Sequence, residues 1–160
     1  MRLKPDYNLE SIYDIDTNEL KSKGIKGIFF DLDSTVMQSK TGKFTKKTLD
    51  FLNNLQKDFK IAIISNNHKK GYIDKVQKIS PVKVYGNARK PDVKVLKIAC
   101  YELGLEVKEV AMVGDRPLTD ILAGKKIGMK TILVDSISKE EEGILTRFVR
   151  FLERLTIKYE

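Results

Sequence analysis

The run Gly27-Ile28-Phe29-Phe30 passes directly into Asp31-Leu32-Asp33-Ser34-Thr35. This abrupt change from apolar to acidic is what most limits the folds open to the chain. A short apolar run between helical stretches is a buried strand. In an open parallel sheet, ligands bind beyond the carboxyl ends of the strands, so the two aspartates fall where a substrate would sit. Burying carboxylates at the end of a core strand costs several kcal/mol unless something compensates them. A hard divalent cation such as Mg²⁺ is a natural compensator.

Two further apolar runs end in the same way. Ile61-Ala62-Ile63-Ile64 stops at Ser65-Asn66-Asn67, and Val110-Ala111-Met112-Val113 stops at Gly114-Asp115 and leads on to Asp120. Lys90, followed by Pro91, comes before the last cluster. The spacing predicts strands over 25–31, 61–65, 82–85, 110–113 and 131–134. Helices are expected over 45–57, with Thr45 as cap, and over 71–79, 92–104 and 119–126. Alternation of this kind argues for an α/β fold: a parallel sheet of about five strands with helices on both faces. Two terminal helices are expected to pack on this core, one over 8–21 and one over 140–159. The second carries a stripe of Leu145, Phe148, Leu152 and Leu155, with Arg147, Arg150, Arg154 and Lys158 off it. Such a stripe most simply docks on the core; a basic amphipathic helix lying on a membrane or a partner is the alternative.

The chain has 160 residues and 41% hydrophobic content, enough for one domain with its own core. No apolar stretch approaches the ~18 residues of a membrane span, and the first residues lack the apolar segment of a secretory signal. The single cysteine, Cys100, lies at helical spacing among apolar neighbours and reads as an inert core thiol. These features fit a cytoplasmic protein. A net charge of +8 concentrates anions at the surface. The lysines are scattered and not interleaved with aromatics as in a stacking platform, so phosphorylated molecules or an anionic membrane fit better than nucleic acid. Neither GxGxxG nor GxxxxGK[ST] occurs.

The order of the clusters (acidic pair, serine, lysine, two aspartates) resembles the haloacid dehalogenase superfamily of aspartate-nucleophile phosphotransferases. Outside the catalytic core, Leu3-Lys4-Pro5-Asp6, Ser11-Ile12-Tyr13-Asp14-Ile15, Ala88-Arg89-Lys90-Pro91 and Thr146-Arg147-Phe148 join Gly114-Asp115-Arg116-Pro117-Leu118-Thr119-Asp120 in looking like the YqeG-type, subclass IIIA branch. That branch is related to phosphatidylglycerophosphate phosphatases. Ser34 stands where many relatives carry Asn, and Arg116-Pro117 replaces a pair that is often Gln and an apolar residue.

The resemblance implies roles. Asp31 is the nucleophile that forms an aspartyl-phosphate, and Asp33 protonates the leaving oxygen and then activates water. Asp31, Asp115 and the Asp33 backbone carbonyl hold Mg²⁺. Ser65, Asn66 and Lys90 bind the phosphoryl oxygens. Asp120 orients Lys90 or a water beside the metal, and Thr35 helps fix the loop after the first catalytic strand. Cap domains in this superfamily are inserted after the first or the second cluster. Here the stretches 35–61 and 67–90 are each too short for a separate domain of at least ~50 residues. A single capless domain over 1–160, with its catalytic core at about 24–135, is therefore expected. Its open site favours a phosphate on something large, a lipid head group above all. A phosphatase of small phosphorylated metabolites, with an oligomer covering the site, is one alternative, and a non-catalytic phosphate-binding module is the other.

Overall fold

The computed structural model describes residues 3–137, 149 and 151–155. Its strands are β1 (Tyr7–Leu9), β2 (Gly27–Phe30), β3 (Lys60–Ile64), β4 (Lys83–Tyr85), β5 (Val110–Gly114) and β6 (Lys130–Val134). Its helices are α1 (Thr17–Ser22), α2 (Lys46–Leu55), α3 (Lys70–Ile79), α4 (Lys94–Leu103) and α5 (Leu122–Ile127). The strands form one parallel sheet in the order β1-β6-β5-β2-β3-β4.

Side chains alternate across the strands and divide the core in two. Ile28 and Phe30 of β2 pack on one face with Leu52 and Leu55 of α2 and Val76 of α3. Phe29 faces the other way, with Leu96, Ala99 and Cys100 of α4 and Ala123 of α5. Phe29 and Phe30 are fully buried, and each such burial stabilises the fold by about 1.5–3 kcal/mol. Cys100 sits inside the second cluster, where burial pushes its thiol up to about 11. This fits the inert thiol expected from the sequence.

Local chemistry sets the helix limits. The Thr45 side chain accepts the Thr48 N–H and caps α2. Gly104 closes α4 in the left-handed region at φ 67°, where a residue without Cβ is least strained. Before α5, the stretch Pro117–Ile121 forms a π-helical turn, not the regular helix expected from 119.

The N-terminal segment departs from the expected helix over 8–21. Tyr7–Leu9 is an edge strand that pairs with β6, Tyr7 opposite Ile132. Two caps divide the rest. Ser11 accepts the Tyr13 N–H and starts a 3₁₀ turn at Ile12–Asp14, and Asp16 accepts the Glu19 N–H and starts α1. Both cap residues have extended backbone, which cannot continue a helix from upstream. Asp6 locks β1 in place: its Oδ2 accepts the Thr131 N–H at 2.9 Å and the Thr131 hydroxyl at 3.1 Å. The sheet therefore has six strands and not five.

Of the expected C-terminal helix, residue 149 and residues 151–154 are helical, and Leu145, Phe148, Arg147, Arg150 and Lys158 lie outside the described residues. Of the stripe read from the sequence, only Leu152 and Leu155 lie among the described residues. Leu152 and Leu155 are 45% and 60% exposed, while Glu153 is buried. Glu153 is drawn inward by Arg116, whose Nη2 and Nε donate to its two carboxylate oxygens at 2.8 and 3.2 Å. A bidentate pair of this kind fixes geometry as well as charge. Arg154 in turn donates to the Val134 carbonyl at 3.1 Å. Polar contacts thus hold the described part of this segment at the strand ends.

Candidate active site

Chain order reverses at β2: β3 and β4 continue on one side, β5 and β6 lie on the other. The crevice at such a reversal is the ligand site of an open parallel sheet. Asp31 follows β2 there and Asp115 follows β5. The Asp31 N–H donates to the Val113 carbonyl at 2.9 Å, so the ladder itself holds the two acids side by side. The Thr35 hydroxyl lies between them, 3.1 Å from Asp115 Oδ1 and 3.4 Å from Asp31 Oδ2.

Lys90 arrives from the loop after β4. Its Nζ is buried and donates to Asp31 Oδ1 at 2.8 Å, Asp120 Oδ1 at 2.7 Å and the Ile64 carbonyl at 2.8 Å. All three ammonium donors are used. Burial pulls the Lys90 pKa down, but the Asp120 and Asp31 carboxylates outweigh it and hold the ammonium above the ordinary lysine value. Burial and then the charge of Asp31 push Asp120 up, partly offset by Lys90. Asp120 Oδ2 also accepts the Arg116 N–H at 3.2 Å. It packs so closely over Gly114 that a Cβ there would overlap its carboxylate.

Ser65 is buried at the end of β3, and its Oγ accepts the Asn67 N–H at 3.0 Å. The Asn66 side chain is committed to the backbone of Lys90 through two hydrogen bonds. Asp31, Thr35, Lys90, Asp115 and Asp120 are thus linked in one network, and Ser65 and Asn66 border Lys90. Asp33 is held by other partners: its Oδ1 accepts the Lys40 N–H and the Tyr72 hydroxyl, both at 2.8 Å. Tyr72, in the first turn of α3, was not legible as a site residue. An aromatic on an amphipathic helix has the same sequence signature as a core residue. Burial, followed by the nearby Asp33 carboxylate, pushes its hydroxyl above the ordinary phenol value.

One carboxylate oxygen from each of Asp31, Asp115 and Asp120 lies within 4.8 Å of the others. Three carboxylates against one ammonium leave a surplus of negative charge, and the all-oxygen donor set suits a hard divalent cation.

A HAD-hydrolase-like family model matches residues 87–146. Over 151 residues the chain is 30% identical to a probable phosphatase, YqeG, of Bacillus subtilis (strain 168), covering 94% of this chain and 87% of that one. It is 28% identical to the phosphatidylglycerophosphate phosphatase 1 of Arabidopsis thaliana chloroplasts and mitochondria, over 96% of this chain. The chain spans about half, 47%, of that relative's length. Among solved structures, a HAD phosphatase from Thermococcus onnurineus superposes with a TM-score of 0.58 at 16% identity, over 75% of this chain and 90% of that one. A putative subfamily III A hydrolase from Legionella pneumophila superposes at 0.51 and 15%, over 87% and 95%. These two likenesses show the shared fold. With its ordered strand-end clusters and its match along nearly the whole of YqeG, the chain belongs to the haloacid dehalogenase superfamily of phosphatases, in the branch that includes YqeG.

Proposed function

We propose that the chain is a Mg²⁺-dependent phosphatase that hydrolyses a phosphate monoester through an aspartyl-phosphate at Asp31, with phosphatidylglycerophosphate as the leading substrate. The observation that carries this reading is the Asp31 carboxylate at the strand-end crevice, fixed on one oxygen by buried Lys90. An Asp31 oxygen attacks phosphorus, the ester P–O bond breaks, and Asp33 gives its proton to the departing oxygen. Asp33 then takes a proton from water as that water attacks the phosphorylated Asp31. The acyl-phosphate P–O bond breaks, releasing inorganic phosphate and restoring both carboxyl groups. Asp31, Asp115 and the Asp33 carbonyl are the residues that would hold Mg²⁺, whose charge offsets the repulsion between a carboxylate and a phosphate dianion. Asp120, whose oxygens are engaged by Lys90 and the Arg116 N–H, serves to hold Lys90. The Ser65 hydroxyl and the backbone at Asn66 donate to the phosphoryl oxygens.

Three features support a lipid substrate at an anionic membrane surface. One is the name of the Arabidopsis relative. The second is a groove of about 440 Å³ along the loop that follows Asp33. Val36, Met37 and Phe44 line it, and the exposed Lys43 and Lys47 stand with them. The third is the set of exposed side chains Phe151, Leu152 and Leu155, on the segment tied to Arg116 beside Asp115. Among the described residues no helix is long and apolar enough to cross a membrane, so this contact would be peripheral.

The test is phosphate release from dihexanoyl phosphatidylglycerophosphate, glycerol 3-phosphate and glucose 6-phosphate, with Mg²⁺ and in excess chelator. We expect the lipid ester to have the highest kcat/KM and all turnover to stop in chelator. Full activity in chelator would remove the metal from the mechanism. A preference for either small ester would move the substrate to soluble metabolites, and no turnover of any ester would favour a non-catalytic module.

A further inference from the structure

We propose that Tyr72 is a positioning residue for leaving-group departure, its hydroxyl fixing the carboxyl of Asp33. The inference rests on the assignment of Asp33 as the proton donor made above. Asp33 Oδ1 accepts two hydrogen bonds from two different elements. Tyr72 donates from α3 at 2.8 Å, and the Lys40 N–H donates from the loop between β2 and α2, also at 2.8 Å. A carboxylate oxygen occupied by two donors is a poor place for a proton. The proton that Asp33 delivers therefore belongs on Oδ2, and the Tyr72 hydroxyl decides where Oδ2 points.

The Tyr72 ring is itself held. It is partly buried against the core cluster that includes Met37 and Val76, and its hydroxyl lies 3.5 Å from Met37 Sδ. Met37 belongs to the same turn as Asp33: the two residues form a bridge, and the Met37 carbonyl accepts the Ser34 N–H at 2.7 Å. Tyr72 thus ties α3, which follows the Ser65 loop, to the turn that carries Asp33. A phenol stays protonated throughout the neutral range, so this donor is present under all working conditions. Without it, the Lys40 N–H alone would hold the carboxyl, from an exposed loop residue. Proton transfer depends on donor placement to a fraction of an ångström.

The experiment compares Tyr72→Phe with wild type on two esters, p-nitrophenyl phosphate and dihexanoyl phosphatidylglycerophosphate. A nitrophenolate departs without a proton, whereas an alkoxide needs one. The quantity to compare is kcat/KM, which reports the steps up to loss of the leaving group. Because the variant keeps the ring, the packing is preserved, and its melting curve is recorded alongside. We expect kcat/KM for the alkyl ester to fall about ten-fold and that for the nitrophenyl ester to change less than about two-fold. Asp33→Asn serves as the reference and should show the same selectivity with a larger loss. Equal losses on both esters in Tyr72→Phe would mean a merely structural role, and an unchanged alkyl rate would also overturn the proposal. Should Asp33→Asn lose both esters equally, the role of Asp33 falls and that of Tyr72 falls with it. Selectivity in Asp33→Asn without selectivity in Tyr72→Phe would remove Tyr72 alone.

Discussion

Asn66 and Lys90 are joined by two hydrogen bonds between one side-chain amide and one backbone: Asn66 Nδ2 donates to the Lys90 carbonyl at 3.0 Å, and Asn66 Oδ1 accepts the Lys90 N–H at 2.7 Å. Arg89, the preceding residue, has φ 53°, a left-handed conformation that disfavours a side chain of its kind. The clamp therefore holds the Lys90 backbone next to a strained residue, and the ammonium stays directed at Asp31 and Asp120.

Asp at position 66 keeps the acceptor but sets a second oxygen against the Lys90 carbonyl. Asn66→Asp should destabilise the protein by about 1–3 kcal/mol and lower kcat at least about ten-fold through displacement of Lys90. Melting curves and steady-state kinetics measure both. A kcat equal to wild type would mean that Lys90 does not depend on the clamp.

Asp31→Asn should lower kcat by more than about 10³-fold, because the amide is a poor nucleophile. The fold should persist, since the backbone bond from Asp31 to Val113 does not involve the side chain. Intact-mass analysis after quenched turnover should find a phosphorylated wild type and an unmodified variant. Residual turnover near the wild-type rate would exclude an aspartyl-phosphate at this position.

Gly114 and Asp120 are in contact that leaves no room for a Cβ. Gly114→Ala must displace the Asp120 carboxylate, and Lys90 then loses the partner at 2.7 Å. Breaking a buried ion pair costs about 3–5 kcal/mol. We expect a loss of that order in chemical denaturation and a large fall in kcat. A variant as stable and as active as wild type would mean that the Asp120–Lys90 pair can re-form elsewhere.

The parallel core and the positions of Asp31, Ser65 and Asp115 were legible in the sequence because each ends a short apolar run, and burial on both faces leaves little else for such a run to be; Lys90 and Asp120 were legible only through their order between and after those clusters. The N-terminal strand was not legible. Three residues carry too little periodicity, and what holds Tyr7–Leu9 in the sheet is a contact from Asp6 to Thr131, remote in sequence. Helical spacing in the C-terminal segment marks an apolar face but not its partners: among the described residues Leu152 and Leu155 are exposed, and Glu153 is buried against Arg116. Asp33 was found as a residue but not in its surroundings, since Tyr72 reaches its loop from α3, remote in sequence. The serine at position 34 has φ 69°. That conformation suits asparagine better than serine, so the backbone here is strained by a residue whose type the sequence alone left without a reason.

Asp6 gives a pH signature. Burial alone would raise its pKa, but hydrogen bonds from Thr131 and the charge of Lys125 outweigh it and hold the carboxyl below the ordinary value of 3.8. A carboxyl depressed in the folded state contributes stability above its unfolded pKa and loses it as pH falls through the folded one. Asp6→Ala should therefore be less stable than wild type at pH 7 by about 1–2 kcal/mol. The gap should narrow only as pH falls below about 4. Denaturation series from pH 2.5 to 7 measure this, and a gap independent of pH would mean that Asp6 acts through packing alone.

The groove beside the Asp33 turn bears on what the enzyme accepts. Its polar side chains are largely satisfied by one another: Tyr13 Oη and Thr48 Oγ1 are 2.9 Å apart, Thr48 Oγ1 and Thr45 Oγ1 3.0 Å, and the Thr41 hydroxyl donates to the Gln38 carbonyl at 3.0 Å. A polyol would find few partners there. An apolar body with an extra negative charge would find Val36, Met37, Phe44 and Ile137, together with the ammonium groups of Lys43 and Lys47. Lys47 Nζ lies 4.1 Å from the Tyr13 ring centroid, a placement that keeps it over the groove. Each basic residue near an anionic surface contributes about 1 kcal/mol. The Lys43→Ala, Lys47→Ala double variant should therefore lower kcat/KM for dihexanoyl phosphatidylglycerophosphate about ten-fold at low salt, and less at 0.5 M salt because of screening. Glycerol 3-phosphate, which lacks the apolar body, should be turned over as by wild type. A double variant of the exposed Lys78 and Lys97 controls for net charge and should leave both rates unchanged. Equal losses on both substrates, or a loss matched by the control pair, would exclude the groove as a lipid-binding surface.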